Sequence, residues 1–367
     1  VNNGVLFPKF DAIPYAVQDL AFRSYFGGRF EILKRGFIGE AFLYDVNSAY
    51  PYAIAELPDM TGGKWIGGRK SIHTEAQLGF FKIEANIPDC KRIPPFPFRS
   101  NGNIIFPSGK FVTYVTLDEL LACETTDYYR ILESWQFIPI TNKRPYKDFI
   151  QNLYNKRLEL KKRNDPLQLP IKIILNSIYG KTGQKVNRVI GNLFNPVLFA
   201  FITGNTRAKL YKFAIDNALE KDVISFATDS ICATKRLELS SSELGSFSLE
   251  KSANDVYYLQ NGIYRFNSKW KQRGIGNLNG KTIEHIETIT RCGRLFLKVR
   301  LCRNSRLRSS IIQHHLKDIG KIQPMTRLIN LNADRKRLWL GIIESIDDKK
   351  CNDSMPLSLT RFKKLEI

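Results

Sequence analysis

Three observations predict an α+β fold for this sequence. Strand-like and helix-like runs interleave, long turn-rich insertions separate them, and no internal repeat or low-complexity tract imposes a periodic architecture. Residues Ala41–Val46 read as a strand, with Phe42, Tyr44 and Val46 alternating with Ala41, Leu43 and Asp45. Pro58 to Gly68 is glycine-rich and reads as turns. A strand at Phe80–Ile87 and a proline-rich loop from Pro88 to Gly109 follow. Thr116, with Asp118 and Glu119 behind it, opens a helix over Thr116–Ala122. Ile150, Leu153, Tyr154 and Leu158 form the apolar stripe of a helix over Lys147–Arg163, ended by Asp165-Pro166. Pro170 starts the next helix, Ile171–Thr182, because a first turn does not use the N–H that proline lacks. Phe199–Ala218 reads as a long helix, and Val223–Thr234 as two short strands around a Thr228-Asp229 turn.

The chain has 367 residues, enough for two or three domains. With 43% hydrophobic and 12% aromatic residues it is neither disordered nor fibrous. Its longest nearly apolar run, Leu193 to Thr203, is broken by Asn195 and Pro196. That is well short of the ~20 residues of a membrane span. Six scattered cysteines without a CxxC pair predict a reduced, cytoplasmic setting and argue against a zinc ribbon or a disulfide scaffold. No signal peptide opens the chain, and Val1 in place of a methionine predicts further sequence upstream.

The formal charge of +21 is concentrated. Residues 1–142 are near neutral, whereas residues 143–188 carry 12 basic against 3 acidic side chains, and residues 281–367 carry 19 against 9. Two such blocks are the electrostatic footprint of a polyanion binder.

Two carboxylates stand out. Asp45 closes a hydrophobic strand, where desolvation costs several kcal/mol unless the group is paired or meets a metal. Ser48 to Tyr50, just beyond it, can turn into a helix start that offers N–H groups to a phosphate. Asp229 sits at the tip of the predicted hairpin. Either alone is ordinary turn chemistry. Between them, on a helix, Lys172, Asn176, Tyr179 and Gly183 fall on one face, with Ile171, Ile174, Leu175 and Ile178 opposite as core. Arg157 and Lys161 stand four apart on the preceding helix, an arrangement that favours a bound anion.

Taken in order, these runs resemble the polymerase region of family B DNA polymerases, in particular the protein-primed branch of phages and linear plasmids. The first polymerase motif is matched by Asp45-Val46-Asn47-Ser48-Ala49-Tyr50-Pro51, the second by Lys172-Ile173-Ile174-Leu175-Asn176-Ser177-Ile178-Tyr179-Gly180, and the third by Ala227-Thr228-Asp229-Ser230. Tyr25-Phe26-Gly27-Gly28 resembles the family's Tyr-x-Gly-Gly element, and Phe201-Ile202-Thr203 with Arg207 resembles the stretch before its third motif.

The resemblance implies a right-hand architecture and transfer of deoxynucleotides to a primer 3′-hydroxyl. Residues 1–40 would be a connector, 41–57 and 187–245 palm, 58–145 an insertion that contacts a terminal protein, 146–186 fingers, and 246–367 thumb and C-terminal region. Asp45, the Val46 carbonyl and Asp229 would hold two Mg²⁺ ions, or Mn²⁺. Tyr50, Arg157, Lys161, Lys172, Asn176 and Tyr179 would bind the dNTP, the Tyr50 ring excluding a 2′-hydroxyl. Tyr25, Gly27, Gly28, Ser48, Gly180, Thr203, Arg207, Thr228, Tyr264 and Arg265 would meet DNA. The implied partners are primer-template DNA, dNTPs and a terminal protein, with the chain a monomer; a linear-plasmid origin would make the setting organellar.

The chain departs from the family pattern in several places. Ala227 replaces the first aspartate of the third motif. The thumb's Lys-x-Tyr is Gly262-Ile263-Tyr264, leaving Arg265, Lys269 or Lys271 to compensate. The stretch from Gly180 to Phe199 is too short for the family's second insertion, which predicts weak unaided strand displacement. Only 24 residues precede Tyr25, so this chain is expected not to proofread. Residues Arg291, Arg294, Lys298, Arg300, Arg303, Arg306, Arg308 and Lys317 are expected on duplex phosphates. Two other readings remain open at this level: a decayed polymerase that only binds DNA, and a different metal-dependent phosphoesterase. His73, His285, His314 and His315 show no metal-ligand spacing near either aspartate.

Overall fold

The structure, a computed structural model, describes residues 12–186, 189–273, 287–292, 294–312, 314–346 and 349–362. His285 lies outside them. The chain forms two compact units: residues 1–31, 42–251 and 356–367, and residues 32–41 and 252–355.

The first unit contains, in order, α1 (Tyr15–Ser24), β1 (Arg29–Ile32), the end of β2 (Lys34–Val46), α2 (Ala49–Ala55), β3 (Gly63–Gly67), β4 (Leu78–Ile87), β5 (Phe98–Ser100), β6 (Asn103–Ile105), β7 (Gly109–Thr116), α3 (Leu117–Ala122) and β8 (Tyr129–Pro139). The helical stretch α4 (Lys147–Lys162) and α5 (Gln168–Thr182) follows, then β9 (Lys185–Val186), β10 (Val189–Ile190), α6 (Pro196–Asp216), β11 (Val223–Thr228), β12 (Ser230–Ala233) and the start of β13 (Phe247–Gln260). Its central sheet runs β1-β11-β12-β2. β12 lies antiparallel between β11 and β2, with Ser230 opposite Asp45 and Ala233 opposite Phe42. A second, antiparallel sheet in the order β3-β8-β4-β7 fills the stretch between the first two motifs. α6 passes through the main core, burying Val197, Leu198, Ala200 and Ile202 against α1, α2 and α5 residues.

The second unit holds the rest of β13, then β14 (Ile263–Phe266), β15 (Lys269–Gln272), β16 (Thr288–Arg291), β17 (Arg294–Asn304), α7 (Leu307–Ile312), β18 (Ile322–Asn330), β19 (Arg337–Trp339) and β20 (Cys351–Pro356). β13, β14 and β15 form an antiparallel meander, and β17 pairs with both β16 and β18. Leu295, Leu297 and Val299 alternate into its core with Tyr257, Leu259 and Ile263. α8 (Leu359–Phe362) closes the described chain within the first unit. Among the described residues no helix is long and apolar enough to cross a membrane.

Several expectations are corrected. The helix expected from Ile171 begins at Gln168, so Pro170 lies inside its first turn, where backbone N–H groups have no intrahelical acceptor. Ile174 is exposed rather than core, and Gly183 lies past the helix end as its C-cap. The helix expected from Phe199 begins at Pro196, because Asn195 caps it by accepting from the N–H groups of Val197 and Leu198. The glycine-rich stretch before residue 68 contains β3. There Gly67 lies under the Trp135 ring, 2.7 Å from where a Cβ would stand, so its missing side chain serves sheet packing rather than a turn.

Candidate active site

β2 carries Asp45 to the end of the central sheet, and the tight β11–β12 turn brings Asp229 beside it. Val46 donates its backbone N–H to the Asp229 carbonyl at 3.0 Å. Both turns hold a non-glycine residue in the left-handed region: Ser48 at φ 54° and Thr228 at φ 68°. Such strain clusters where surrounding structure over-determines the backbone, as it does at functional sites. Asn47 pins the first turn through its backbone N–H to the Ser246 carbonyl (2.9 Å) and its side-chain amide to Ser246 Oγ (3.0 Å). Arg157 reaches from α4 to donate to Ser48 Oγ at 3.1 Å.

The Asp45 carboxyl is pushed up to about 7. Burial is the largest cause, followed by the negative charges of Asp229 and Glu250, while the Lys172 ammonium and the Val46 N–H pull the other way. Glu250, near the start of β13, was not singled out from the sequence. An exposed glutamate beside Lys251 carries no local signal, and only strand packing brings its charge near Asp45. Carboxylates that disfavour one another's charge fit a divalent cation. Among the described residues no group of three or more His, Cys, Asp and Glu is arranged to hold a metal by itself. Mg²⁺ sites of one or two carboxylates completed by substrate phosphates need no such group.

Beside the carboxylates three tyrosines from three separate motifs meet. The Tyr50 and Tyr179 rings lie 4.3 Å apart between centroids, and the Tyr25 and Tyr179 hydroxyls are 3.5 Å apart. Burial, with the Asp229 charge second, raises the Tyr50 phenol to about 12, and burial also raises that of Tyr179. Lys172, Asn176 and Gly180 are exposed on α5, as is Lys161 on α4.

The Tyr25–Gly28 segment packs directly on the third motif. A Cβ at Gly28 would stand 2.9 Å from Thr228 Cγ2 and 3.2 Å from Thr228 Cα. Gly27 takes φ 75°, and its carbonyl accepts from Arg207. This corrects two expected DNA contacts. Arg207 is 2% exposed and its guanidinium binds both Glu119 oxygens, at 2.8 and 3.0 Å. Thr203 is fully buried, its hydroxyl donating to the Phe199 carbonyl. Inward placement on α6 removes both from any nucleic-acid surface. Glu119 also accepts the Thr116 N–H as the capping box of α3, so one carboxylate joins α3, α6 and the Gly27 turn.

Within the second unit Tyr264 stacks on Tyr258 with centroids 4.8 Å apart. Lys271, its cross-strand partner, places its ammonium 5.5 Å from the Tyr264 ring centre. Arg265 is held by Asp255 at 2.8 Å. Gly262 has φ 79° and turns β13 into β14 against Arg273, a conformation that disfavours the lysine of the family pattern.

Residues 18–190 match the family model for DNA polymerase type B, organellar and viral. This region of the chain is similar to that family. The "DNA polymerase" of Acidianus bottle-shaped virus is 28% identical over 263 residues, covering 67% of this chain and 38% of the viral protein. The "Probable DNA polymerase" of Ascobolus immersus is 31% identical over 146 residues, 38% of this chain and 12% of that protein. The chain therefore matches well under half the length of these relatives. Among solved structures, Phi29 DNA polymerase complexed with primer-template DNA and incoming nucleotide superimposes with a TM-score of 0.62 at 17% identity, over 89% of this chain and 64% of that one. The fold is thus similar to that of Phi29 DNA polymerase, α+β with antiparallel sheets.

Proposed function

We propose that the chain is a DNA-directed DNA polymerase that adds dNTPs to a primer 3′-hydroxyl. The observation that carries this is the juxtaposition of Asp45 near the end of β2 and Asp229 in the adjoining β11–β12 turn, with Lys172 close enough to influence Asp45 and the Tyr50–Tyr179 pair beside them. In this reading residues 41–57 and 187–245 form a palm, 146–186 fingers and 246–367 a thumb and C-terminal region. Residues 1–40 are a connector, and 58–145 are an insertion suited to a terminal protein.

Asp45, the Val46 carbonyl and Asp229 would hold two divalent ions, which supply Lewis-acid stabilisation to a reacting phosphate and lower the pKa of a primer hydroxyl. Lys172, with Lys161 and Arg157, neutralises the triphosphate. Arg157 also steadies the Ser48 turn. Tyr50, its ring packed on Tyr179, cannot easily swing aside, which supports a role in refusing a 2′-hydroxyl. Asn176 and Gly180 border the same space. Tyr25, Gly27, Gly28 and Thr228 form one packed unit that steadies a template strand, and Arg207 positions that unit from behind. Tyr264 with Lys271 grips the primer, Lys271 supplying the cation that Gly262 cannot.

Extension of a labelled primer-template with dNTPs and Mg²⁺ or Mn²⁺ tests the proposal. Wild type should extend with at least one metal, and Asp229→Ala should not. DNA binding without extension under either metal would instead identify a decayed polymerase.

A further inference from the structure

β17 and β18 form a long two-stranded arm, paired from Phe296↔Asn330 to Asn304↔Ile322. At its base Leu295, Leu297 and Val299 are buried. Its tip is built differently. Backbone bonds Ser305 N–H to Lys321 O (2.9 Å) and Gly320 N–H to Ser305 O (3.0 Å) close a short cap containing α7. Leu307, Ile311, Ile312, Leu316, Ile319 and Ile322 are all exposed there, the least exposed of them at 43% and the most at 70%. Six aliphatic side chains at such exposure make a patch on the order of the largest carried by monomeric proteins, roughly 300–600 Å². The exposed Arg306, Arg308, Lys317 and Lys321 are interleaved with them along the chain, no acidic residue occurs from Thr288 to Lys317, and Asp318 pairs with Lys321 at 3.6 Å.

We propose that this arm tip is a docking site for an acidic partner protein, one that presents an apolar helix or strand edged with Asp and Glu. The charge of the tip identifies its occupant. Branched aliphatic chains gain little from phosphates, and they lack the flat π-faces on which bases stack, so nucleic acid would leave the patch wet. A second copy would bring like charge against like, in a chain of net +21. An acidic amphipathic segment satisfies both halves of the tip, its apolar side chains covering the isoleucines and its carboxylates meeting the cationic rim. The proposal uses nothing from the Asp45 site, and it assigns Arg306, Arg308 and Lys317, expected from the sequence on duplex phosphates, to the rim of this patch instead.

The test uses the full chain and a fluorescent 20-residue helical peptide with leucines on one face and glutamates elsewhere. Companion peptides carry serine for leucine or glutamine for glutamate, and a 20-base-pair duplex is titrated in parallel. The wild-type chain should bind the leucine–glutamate peptide, and each companion more weakly. Ile311→Glu and the milder Ile311→Ser should each weaken peptide binding at least tenfold, while duplex affinity changes less than twofold and circular dichroism stays constant. Peptide binding unaltered by both substitutions would overturn the proposal. So would a tenfold loss of duplex affinity, which would make DNA the occupant, or wild-type self-association abolished by Ile311→Glu, which would make a second copy the occupant.

Discussion

The Val46 N–H donates to the Asp229 carbonyl at 3.0 Å, one residue along from Asp45. The backbones that carry the two carboxylates are therefore tied together before any ligand arrives. This is the kind of preorganisation that transferring a phosphoryl group demands, since little is left to do beyond positioning and charge stabilisation.

The raised Asp45 carboxyl fixes a pH dependence. Its folded value of about 7 lies above the ~3.9 of an unfolded aspartate, so between those pH values the folded state binds more protons. Stability from this group is fully present below ~3.9 and is lost as pH rises through about 7. In EDTA, Asp45→Asn should therefore be more stable than wild type at pH 8, by on the order of 1–2 kcal/mol, and the gap should close towards pH 4. Thermal melts of both proteins across that range check this. Adding Mg²⁺ should raise the wild-type melting temperature at pH 8 and leave the variant unmoved.

Gly28→Ala should disturb catalysis through Thr228. The new methyl would meet both the Thr228 side chain and its Cα, in a turn already held at positive φ next to Asp229. Primer extension should fall roughly tenfold or more, since small displacements at a reacting centre are costly. Adding Thr228→Ser removes the nearer clash and should restore part of the loss. An unimpaired Gly28→Ala would show that the two segments do not pack in solution as described.

Arg207 answers for folding rather than for DNA. Replacing it by alanine strands the buried Glu119 carboxylate and should cost about 3–5 kcal/mol in a urea titration. Glu119→Gln should be milder, because the amide oxygen still accepts one hydrogen bond. A protein of unchanged stability that had lost only DNA affinity would return Arg207 to the nucleic-acid surface.

Lys271→Ala should weaken primer-template binding roughly tenfold and reduce the salt dependence of that binding by about one ion, with little change in the rate of extension at saturating DNA. Equilibrium titration at several salt concentrations, beside single-turnover extension, separates the two effects. Lys269→Ala, two residues away on the same strand, serves as the control for non-specific charge loss.

Much of the local structure is legible without coordinates. The alternation before Asp45, the stripe of Ile150, Leu153, Tyr154 and Leu158, and the Thr116–Glu119 start signal each correspond to an observed element. α1 could have been found the same way, because its buried Val17, Leu20, Ala21 and Ser24 recur at helical spacing. Helix starts differ from the sequence expectation where proline and asparagine move the boundary back into the preceding loop.

Sequence alone determined which residues are candidates for chemistry, since the motifs around Asp45, Lys172 and Asp229 are local strings whose residue types suit a phosphate and a metal. Tertiary structure decided which of those residues can reach a ligand. Arg207 and Thr203 belong to the same matched stretch as their neighbours, yet α6 turns both inward, and packing assigns Arg207 to Glu119 and Gly27. Glu250 entered only through a neighbour distant in sequence, and cross-strand register singled out Lys271 from Arg265 and Lys269. The physical reason is the same in each case. Residue type sets what a side chain can bind, whereas burial and cross-strand register, both products of long-range packing, set what it meets.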